Sequence, residues 1–423
     1  MASLSIFAGA AVRYPGFLRS QYLDHARQAI QLETLRARTL AAAARIPFYR
    51  ERFGGDPRTL EFQTLPILRR SEVPKLNQSV RSRYPSTTTF SSDSSSGSTG
   101  MPVEFLFDRS HQVSRFAARA RYLHENGWTP LRRSVWLIYT GSYTGTEDRS
   151  LIRSRLLPLT YFPEISTDFR SLAAEIGRID PVCVYAYPSF LDALLEGLKS
   201  TATKLRSLRQ VLTGSEVLED DLRQRTRSIM GVDIADNYGS TEAFIAWQCH
   251  GGKYHINTEH VLAEIVDENG EPCRAGEMGR VLVTTLQNHL MPLVRYEIGD
   301  YAIAATEPCK CGRTLPVLEK VIGRTVNLFR LRGGKLLSPW LLMGAVRDRL
   351  ELKQYQIVQH AIDRFGIKLV VDDPWSPEQE RLLHQDFVRI IGNEVQLSLE
   401  RVEHISRTAG RKFMSTLSEL AAG

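Results

Sequence analysis

Ser95-Ser96-Gly97-Ser98-Thr99-Gly100 sets four hydroxyls around two glycines. Glycine lets a backbone turn tightly and aim its N–H groups at an anion, so the run is a candidate phosphate cradle; by composition alone it equally fits a flexible linker. Met101-Pro102 follow, so the Gly-Lys-Ser/Thr ending of a Walker loop is missing. Tyr238-Gly239-Ser240-Thr241-Glu242 joins a ring that can stack on a purine, hydroxyls that can bind phosphate and a carboxylate that can hold Mg²⁺. The same residues also fit a strand-to-helix turn closed by a capping box. In Arg295-Tyr296-Glu297-Ile298-Gly299-Asp300, an Asp fixed at a strand end can accept hydrogen bonds from both hydroxyls of a ribose; an ordinary turn has a similar composition. Gly323-Arg324 with Arg332-Gly333-Gly334-Lys335 reads as a basic interdomain loop or as a hinge beside a site, and Gly410-Arg411-Lys412-Phe413 as a solvated basic pair unless a site recruits it.

The elements that must carry these residues follow from periodicity and turn chemistry. Residues 1–85 are largely helical by composition, with Tyr22 to Arg45 rich in Ala, Leu, Arg and Gln. Leu65-Pro66-Ile67-Leu68-Arg69-Arg70 and its sequel to Leu76 read as a Pro-punctuated surface segment. Val103 to Phe107 alternates like a strand, so the Ser/Gly run feeds a strand. Between 115 and 240, helical stretches (111–126, 168–179, 189–199, 220–229) separate short β-like runs (134–139, 183–187, 210–213, 233–237); that alternation predicts an α/β layer with parallel strands. Residues 254–322 carry strand, Asn-Gly turn and strand signals, predicting an antiparallel β region packed beside the α/β part. Beyond 323 the pattern is a turn at Arg330 to Pro339, paired strands at 354–361 and 366–371, a capped helix at 376–391 and a final strand at 395–402. The predicted fold class is α/β: a large N-terminal body over residues 1–322, of α/β layers plus a β subdomain, then a small mobile α+β domain over 323–423.

Length and composition set the class of function. A chain of 423 residues exceeds one ordinary core. With 43% hydrophobic and 24% charged residues it is globular, not disordered. No apolar run reaches the ~18–20 residues of a membrane span, and the N-terminal stretch lacks the basic segment of a signal peptide, so a cytoplasmic protein is expected. The net charge of +7 is scattered in pairs such as Arg69-Arg70 and Arg132-Arg133 with acids between them, which suits anionic small molecules better than nucleic acid.

Five cysteines, an odd and sparse set in a chain of this length, argue against a disulfide framework. Cys309-x-Cys311 with Cys249 and His255 offers the four soft ligands of a structural zinc site; His250 is the alternative fourth ligand, and two thiols in a plain turn the alternative to any metal. Cys183 and Cys273 fit core and hairpin positions.

In this order the motifs resemble the adenylate-forming superfamily of acyl-CoA synthetases, non-ribosomal adenylation domains and luciferases. SSGSTGMP is similar to its phosphate loop except at Met101, where the family has lysine; YGSTE and RYEIGD match its Tyr-Gly-x-Thr-Glu and Tyr-x-x-Gly-Asp motifs. LPILRRSEVPKL and CKCGRTLPVLEKVIGR resemble segments of the phenylacetate–CoA ligase and CapK-like branch. The resemblance, which spans essentially the whole chain, implies an ATP-dependent acid–thiol ligase that first joins a carboxylic acid to AMP. Ser95, Ser96, Gly97, Ser98, Thr99 and Gly100 would hold the β- and γ-phosphates. Tyr238 would lie against the adenine, with Gly239, Ser240, Gly214, Ser215 and Glu216 at the nucleotide; Thr241 would touch the α-phosphate, Glu242 bind Mg²⁺, Asp300 hold the ribose and Arg324 assist. Lys412, rather than Arg411, would be the mobile catalytic lysine. The acid would lie among Tyr139 to Tyr143, Tyr187, Pro188, Ala243 and Phe244, whose tyrosines suggest an aromatic substrate. A hinge is expected near 324–328, where Thr325-Val326-Asn327 replaces the family's usual Asp. Coenzyme A is the expected acceptor; the alternatives are an amine, a carrier-protein thiol, or a non-catalytic nucleotide-binding relative. Expected partners are these small molecules, with no nucleic acid or membrane, and a monomer or homodimer.

Overall fold

The computed structural model describes residues 2–84, 91–95, 103–138, 158–162, 169–216, 218, 220–323, 329–332, 336–337, 340–350, 354–371, 374–392, 394–403, 405 and 416–420. The helical N-terminal region forms α1 (Ala2–Ser20), α2 (His25–Ala43), α3 (Pro47–Phe53) and α4 (Val73–Arg81). Asp24 starts α2 by accepting the Arg27 N–H at 2.8 Å, the usual N-cap bond. Ser91–Ser95, the described part of the Ser-rich run, is a strand (β1) that pairs antiparallel with β2 (Val103–Phe107), Ser95 opposite Val103. Next come α5 (Arg109–Glu125), β3 (Ser134–Leu137), β4 (Leu159–Phe162), α6 (Phe169–Ile179), β5 (Cys183–Ala186), α7 (Pro188–Thr201), β6 (Gln210–Gly214), α8 (Asp220–Met230) and β7 (Ile234–Gly239). β3, β5, β6 and β7 run parallel, with β4 parallel at the edge. β3 and β5 are buried along their whole length, because helices cover both faces of such a sheet.

The antiparallel region is not a separate layer packed beside this sheet. β8 (Phe244–Gln248), β9 (Tyr254–Ile256), β10 (Val261–Val266), β11 (Met278–Thr285), β12 (Tyr296–Ala304) and β13 (Val317–Gly323) continue it. Among the described residues the order is β10-β11-β12-β13-β9-β8-β7-β6-β5-β3-β4. The junction is the β7–β8 pair, antiparallel through Tyr238 opposite Ala246, so the YGSTE turn feeds a strand and not a helix. β8 is buried throughout and apolar from Phe244 to Trp247, a run whose periodicity does not tell strand from helix. Register shifts interrupt β12 against both neighbours, and such bulges bend a sheet.

LPILRRSEVPKL also departs from expectation. Leu65, Leu68, Val73 and Leu76 are buried, and Leu68 bridges Tyr296 in parallel, with Leu68 N–H donating to the Arg295 carbonyl at 3.0 Å and Glu297 N–H to the Leu68 carbonyl at 2.9 Å. Its leucines bury apolar area that an exposed segment would leave in water.

The C-terminal unit has β14 (Phe329–Arg330) paired with β15 (Leu336–Leu337), α9 (Trp340–Arg349), β16 (Gln354–Ala361), β17 (Arg364–Val370), α10 (Pro377–Ile391), β18 (Gln396–Arg401) and β19 (Thr416–Ser418). The 395–402 strand is therefore not the last: β19 pairs in parallel with β16. Ser376 and Gln379 form the capping box that opens α10. This unit buries its own core around Phe329, Tyr355, Phe365 and Phe387. The fold is thus a large mixed-sheet α/β body followed by a small α+β domain with its own sheet.

Candidate functional site

Ligands of open α/β sheets gather beyond the C-terminal ends of parallel strands. Here those ends are aligned by register: Ala186 lies opposite Thr213, and Gly214 opposite Asn237. Tyr187, Ser215 and Ser240 follow directly on neighbouring strands. Ser215 has φ +72°, a left-handed conformation that a non-glycine residue holds at a cost. At Gly214 a Cβ would meet Asn237 Nδ2 at 2.2 Å, so only glycine fits where the Asn237 amide donates to the Thr213 carbonyl at 2.6 Å. Beneath them, the Asp236 carboxylate accepts from Thr213 Oγ1 (2.7 Å) and Tyr254 Oη (2.6 Å). Burial pushes the Asp236 carboxyl above its ordinary range, and those donors offset part of that.

The YGSTE turn is closed by its own serine. Ser240 N–H donates to the Ala243 carbonyl at 2.8 Å, and Ser240 Oγ accepts from the N–H groups of Glu242 (3.2 Å) and Ala243 (3.3 Å). Arg115 on α5 donates to the carbonyls of Thr241 (3.3 Å) and Ser240 (3.4 Å). α5 is itself fixed by Asp108, which caps it by accepting His111 N–H at 2.8 Å and also accepts His289 N–H at 2.7 Å.

Two tyrosines tie this turn to RYEIGD. Tyr238 Oη donates to Asp300 Oδ2 at 2.9 Å, and Tyr296 Oη donates to Glu242 Oε1 at 3.1 Å. β7 and β12 are four ladder steps apart in the sheet, or ~19 Å if it were flat, beyond any tyrosine's reach. The sheet therefore curls until the two motifs face each other. Asp300 stands within β12, not at a strand end as its sequence suggests, and is half-buried; Thr241 and Glu242 are each 2% exposed. Arg295 turns the chain into β12 at φ +46°, held by Glu264 (3.1 Å) and the carbonyls of Leu65 (2.9 Å) and Gly270 (3.0 Å).

The strand that leaves the Ser/Gly run joins the same locus, since Phe105 of β2 packs edge-on to Tyr296 with centroids 5.9 Å apart. Asp93 of β1 lies near enough to feel both Arg115 and Glu242; burial raises its carboxyl pKa, Arg115 lowers it and Glu242 raises it further. Asp93, Arg115 and Tyr296 had no assigned role from sequence. Only Tyr296 carried a signal, its place inside a motif.

Of the remaining candidates, Tyr187 is nearly buried against Phe190 (5.7 Å), Pro188 opens α7, and Ala243 and Phe244 are core residues, the latter 6.0 Å from the Tyr122 ring. Glu216 is partly exposed beside Ser215. Ser96, Gly97, Ser98, Thr99, Gly100, Met101, Tyr139, Arg324 and Lys412 lie outside the described residues.

The metal candidates converge. One ligand atom from each of Cys249, His255, Cys309 and Cys311 lies within 4.8 Å of the others. Cys249 Sγ is 3.4 Å from Cys309 Sγ and 3.3 Å from His255 Nε2, which is 3.3 Å from Cys311 Sγ. Tetrahedral zinc holds such ligands ~3.5–3.8 Å apart, so three sulfurs and one imidazole fit it. Burial lowers the His255 pKa to about 4, leaving a neutral ring able to ligate. Gly251 N–H donates to Cys249 Sγ at 3.2 Å, and a Cβ at Gly251 would meet Cys309 Sγ at 2.8 Å. His250 is not in the set.

The chain is similar in sequence and fold to known proteins. The AMP-binding enzyme family matches residues 157–291, and the CapK C-terminal domain residues 335–419. The chain is 27% identical to the phenylacetate-coenzyme A ligase of Thermus thermophilus, across 89% of this chain and 85% of that protein. It is 26% identical to the phenylacetate-coenzyme A ligase of Escherichia coli, across 72% and 73%. A solved 2-hydroxyisobutyryl-CoA ligase in complex with 2-HIB-AMP and CoA has the same fold, with a TM-score of 0.64 at 19% identity over 95% of this chain and 92% of that one. Among the described residues, no helix is long and apolar enough to cross a membrane.

Proposed function

This chain belongs to the AMP-binding, adenylate-forming superfamily of AMP-forming acid–CoA ligases and carries a CapK C-terminal domain, and from that premise we propose that it activates an aromatic carboxylic acid with ATP and transfers the acyl group to coenzyme A in the cytoplasm. The observation that carries this reading is the reciprocal bonding of Tyr238 to Asp300, 62 residues on, and of Tyr296 to Glu242, 54 residues back, which brings the two motifs to one locus beside β2. Phenylacetate-coenzyme A ligases among the relatives support an aromatic acid, as does Tyr187 just beyond the end of β5.

In the first half-reaction a carboxylate oxygen of the acid attacks the α-phosphorus of ATP. The new P–O bond forms as the bond to pyrophosphate breaks, giving the acyl-adenylate. Carboxylate and triphosphate repel, so the site must hold them together and offset charge. Asp300 accepts the ribose hydroxyls, Tyr238 flanks the adenine, Thr241 faces the α-phosphate and Lys412 meets the charge that builds there. Gly214, Ser215, Glu216, Gly239 and Ser240 line the nucleotide's side, with Tyr187, Pro188, Ala243 and Phe244 behind the acid. Glu242 would hold Mg²⁺, which neutralises phosphate charge when bound. In the second half-reaction the thiol attacks the acyl carbon and AMP leaves, after the domain at 323–423 turns about residues 324–328 against the 1–322 body. Zinc held by Cys249, His255, Cys309 and Cys311 would pin two loops and take no part in the chemistry.

Pyrophosphate release over a panel of aryl and alkyl acids tests the activation step, and repetition with coenzyme A, amines and carrier protein tests the acceptor. Aromatic acids with coenzyme A are expected to turn over fastest, and Lys412→Ala to cut adenylate formation by about 10²-fold or more. ATP binding without pyrophosphate release from any acid would overturn catalysis in favour of a nucleotide-binding role.

A further inference from the structure

Tyr296 is fully buried. Its ring packs on Phe105, at the exit of the Ser/Gly loop, and its hydroxyl reaches Glu242 Oε1 at 3.1 Å. Glu242 is 2% exposed, and a carboxylate in that setting needs donors. The bond occupies one oxygen and fixes the plane of the group, so the second oxygen has a set direction. The backbone beneath Glu242 is held separately, by Ser240 Oγ and by Arg115 on the Ser240 and Thr241 carbonyls. Among the described residues, the Tyr296 phenol is the side-chain donor that restrains the remaining rotation of the carboxylate.

We propose that Tyr296 is a positioning residue for divalent-cation binding: its hydroxyl, and not the packing of its ring, orients the Glu242 carboxylate toward the nucleotide's metal ion. This rests on the reading of Glu242 as a metal ligand. Tyr238 treats Asp300 in the same way from the opposite motif, so each motif supplies the phenol that orients the other's carboxylate. The metal and ribose contacts are consequently built on different tyrosines and separate in measurement.

The test uses the full chain with the non-cleavable analogue AMPCPP and follows free Mn²⁺ by its electron paramagnetic resonance signal, which needs no knowledge of the acid. Tyr296→Phe keeps the ring and is expected to weaken Mn²⁺ binding about tenfold, with AMPCPP affinity measured without metal unchanged. Glu242→Gln is expected to weaken Mn²⁺ at least as much, and the double variant no more than Glu242→Gln alone, because the two act as one unit. Phe105→Leu, which disturbs the packing and spares the hydroxyl, is expected to retain Mn²⁺ affinity. Wild-type Mn²⁺ affinity in Tyr296→Phe, with affinity lost in Glu242→Gln, overturns this proposal and leaves the metal-ligand reading standing. Unchanged affinity in both variants overturns that reading as well. A loss in Phe105→Leu equal to that in Tyr296→Phe assigns the effect to packing and overturns the proposal. Should Tyr296→Phe not fold, 3,5-difluorotyrosine at 296 retains a hydroxyl of altered acidity and is expected to change Mn²⁺ affinity; no change overturns the proposal.

Discussion

The phenol of Tyr238 on β7 donates to the carboxylate of Asp300 on β12 across 2.9 Å, although three strands lie between theirs in the sheet. Bonds to a charged acceptor contribute about 1.5–3 kcal/mol. Tyr238→Phe keeps the ring and removes this one donor from the Asp300 carboxylate, which in the proposed reading holds the ribose. ATP affinity is expected to fall about tenfold, with Asp300→Ala costing more. Equilibrium binding of a fluorescent ATP analogue measures both, and equal affinity in wild type and Tyr238→Phe would contradict the assignment.

The Cys/His cluster predicts one zinc per chain. Cys311→Ser removes a ligand and is expected to lower zinc affinity at least tenfold, since even an outer-shell partner is worth 10–100-fold. His250→Ala should retain the metal. Elemental analysis of dialysed protein checks both, and a chelator should lower the thermal midpoint of wild type but not of Cys311→Ser.

Arg121 is fully buried and donates to both oxygens of buried Glu259, at 2.7 and 3.0 Å, and to the Phe17 carbonyl at 2.8 Å, with Ser20 also on Glu259. The pair pins α1 onto α5. Removing one partner strands the other's charge, which costs about 3–5 kcal/mol. Glu259→Gln is therefore expected to lower the urea midpoint clearly, and Arg121→Met with Glu259→Leu to recover much of the loss. A midpoint unchanged in Glu259→Gln would show the pair to be energetically idle.

His111 and His260 are buried with ring centroids 4.7 Å apart, His111 stacked on Phe107 and His260 Nδ1 3.1 Å from Ser114 Oγ. Burial, with Arg115 and Arg13 nearby, lowers the His260 pKa to about 3; burial, then His260 and Arg115, puts His111 well below 6.5. Both folded values are depressed, so protons favour the unfolded chain. The contribution is whole above pH ~6.5 and is lost as pH falls from there towards 3. The thermal midpoint should drop between pH 7.5 and 5, and His111→Phe should lessen that drop. An identical pH slope in His111→Phe would refute the linkage.

Much of the site was legible because its chemistry is local. The ligand types of Cys309 and Cys311 and the parallel strand runs of 134–139 and 183–187 are properties of contiguous residues. The YGSTE turn was legible as a turn, yet its sequel was not, since an apolar Phe244-Ile245-Ala246-Trp247 suits a buried strand or a helix alike. LPILRR was misplaced on the surface because its prolines mark a break in secondary structure and say nothing about burial; its pairing partner, Tyr296, lies more than two hundred residues on.

The residue types, the order of the motifs and the parallel half of the sheet were set by sequence alone, since short-range sterics, periodicity and side-chain chemistry act between neighbours along the chain. The tertiary structure alone decided that one sheet runs through both halves, that it curls until Tyr296 meets Glu242, and that His255 and not His250 completes the cysteine cluster. Those outcomes depend on bulges, register and burial summed over distant strands, and no contiguous stretch of residues encodes them.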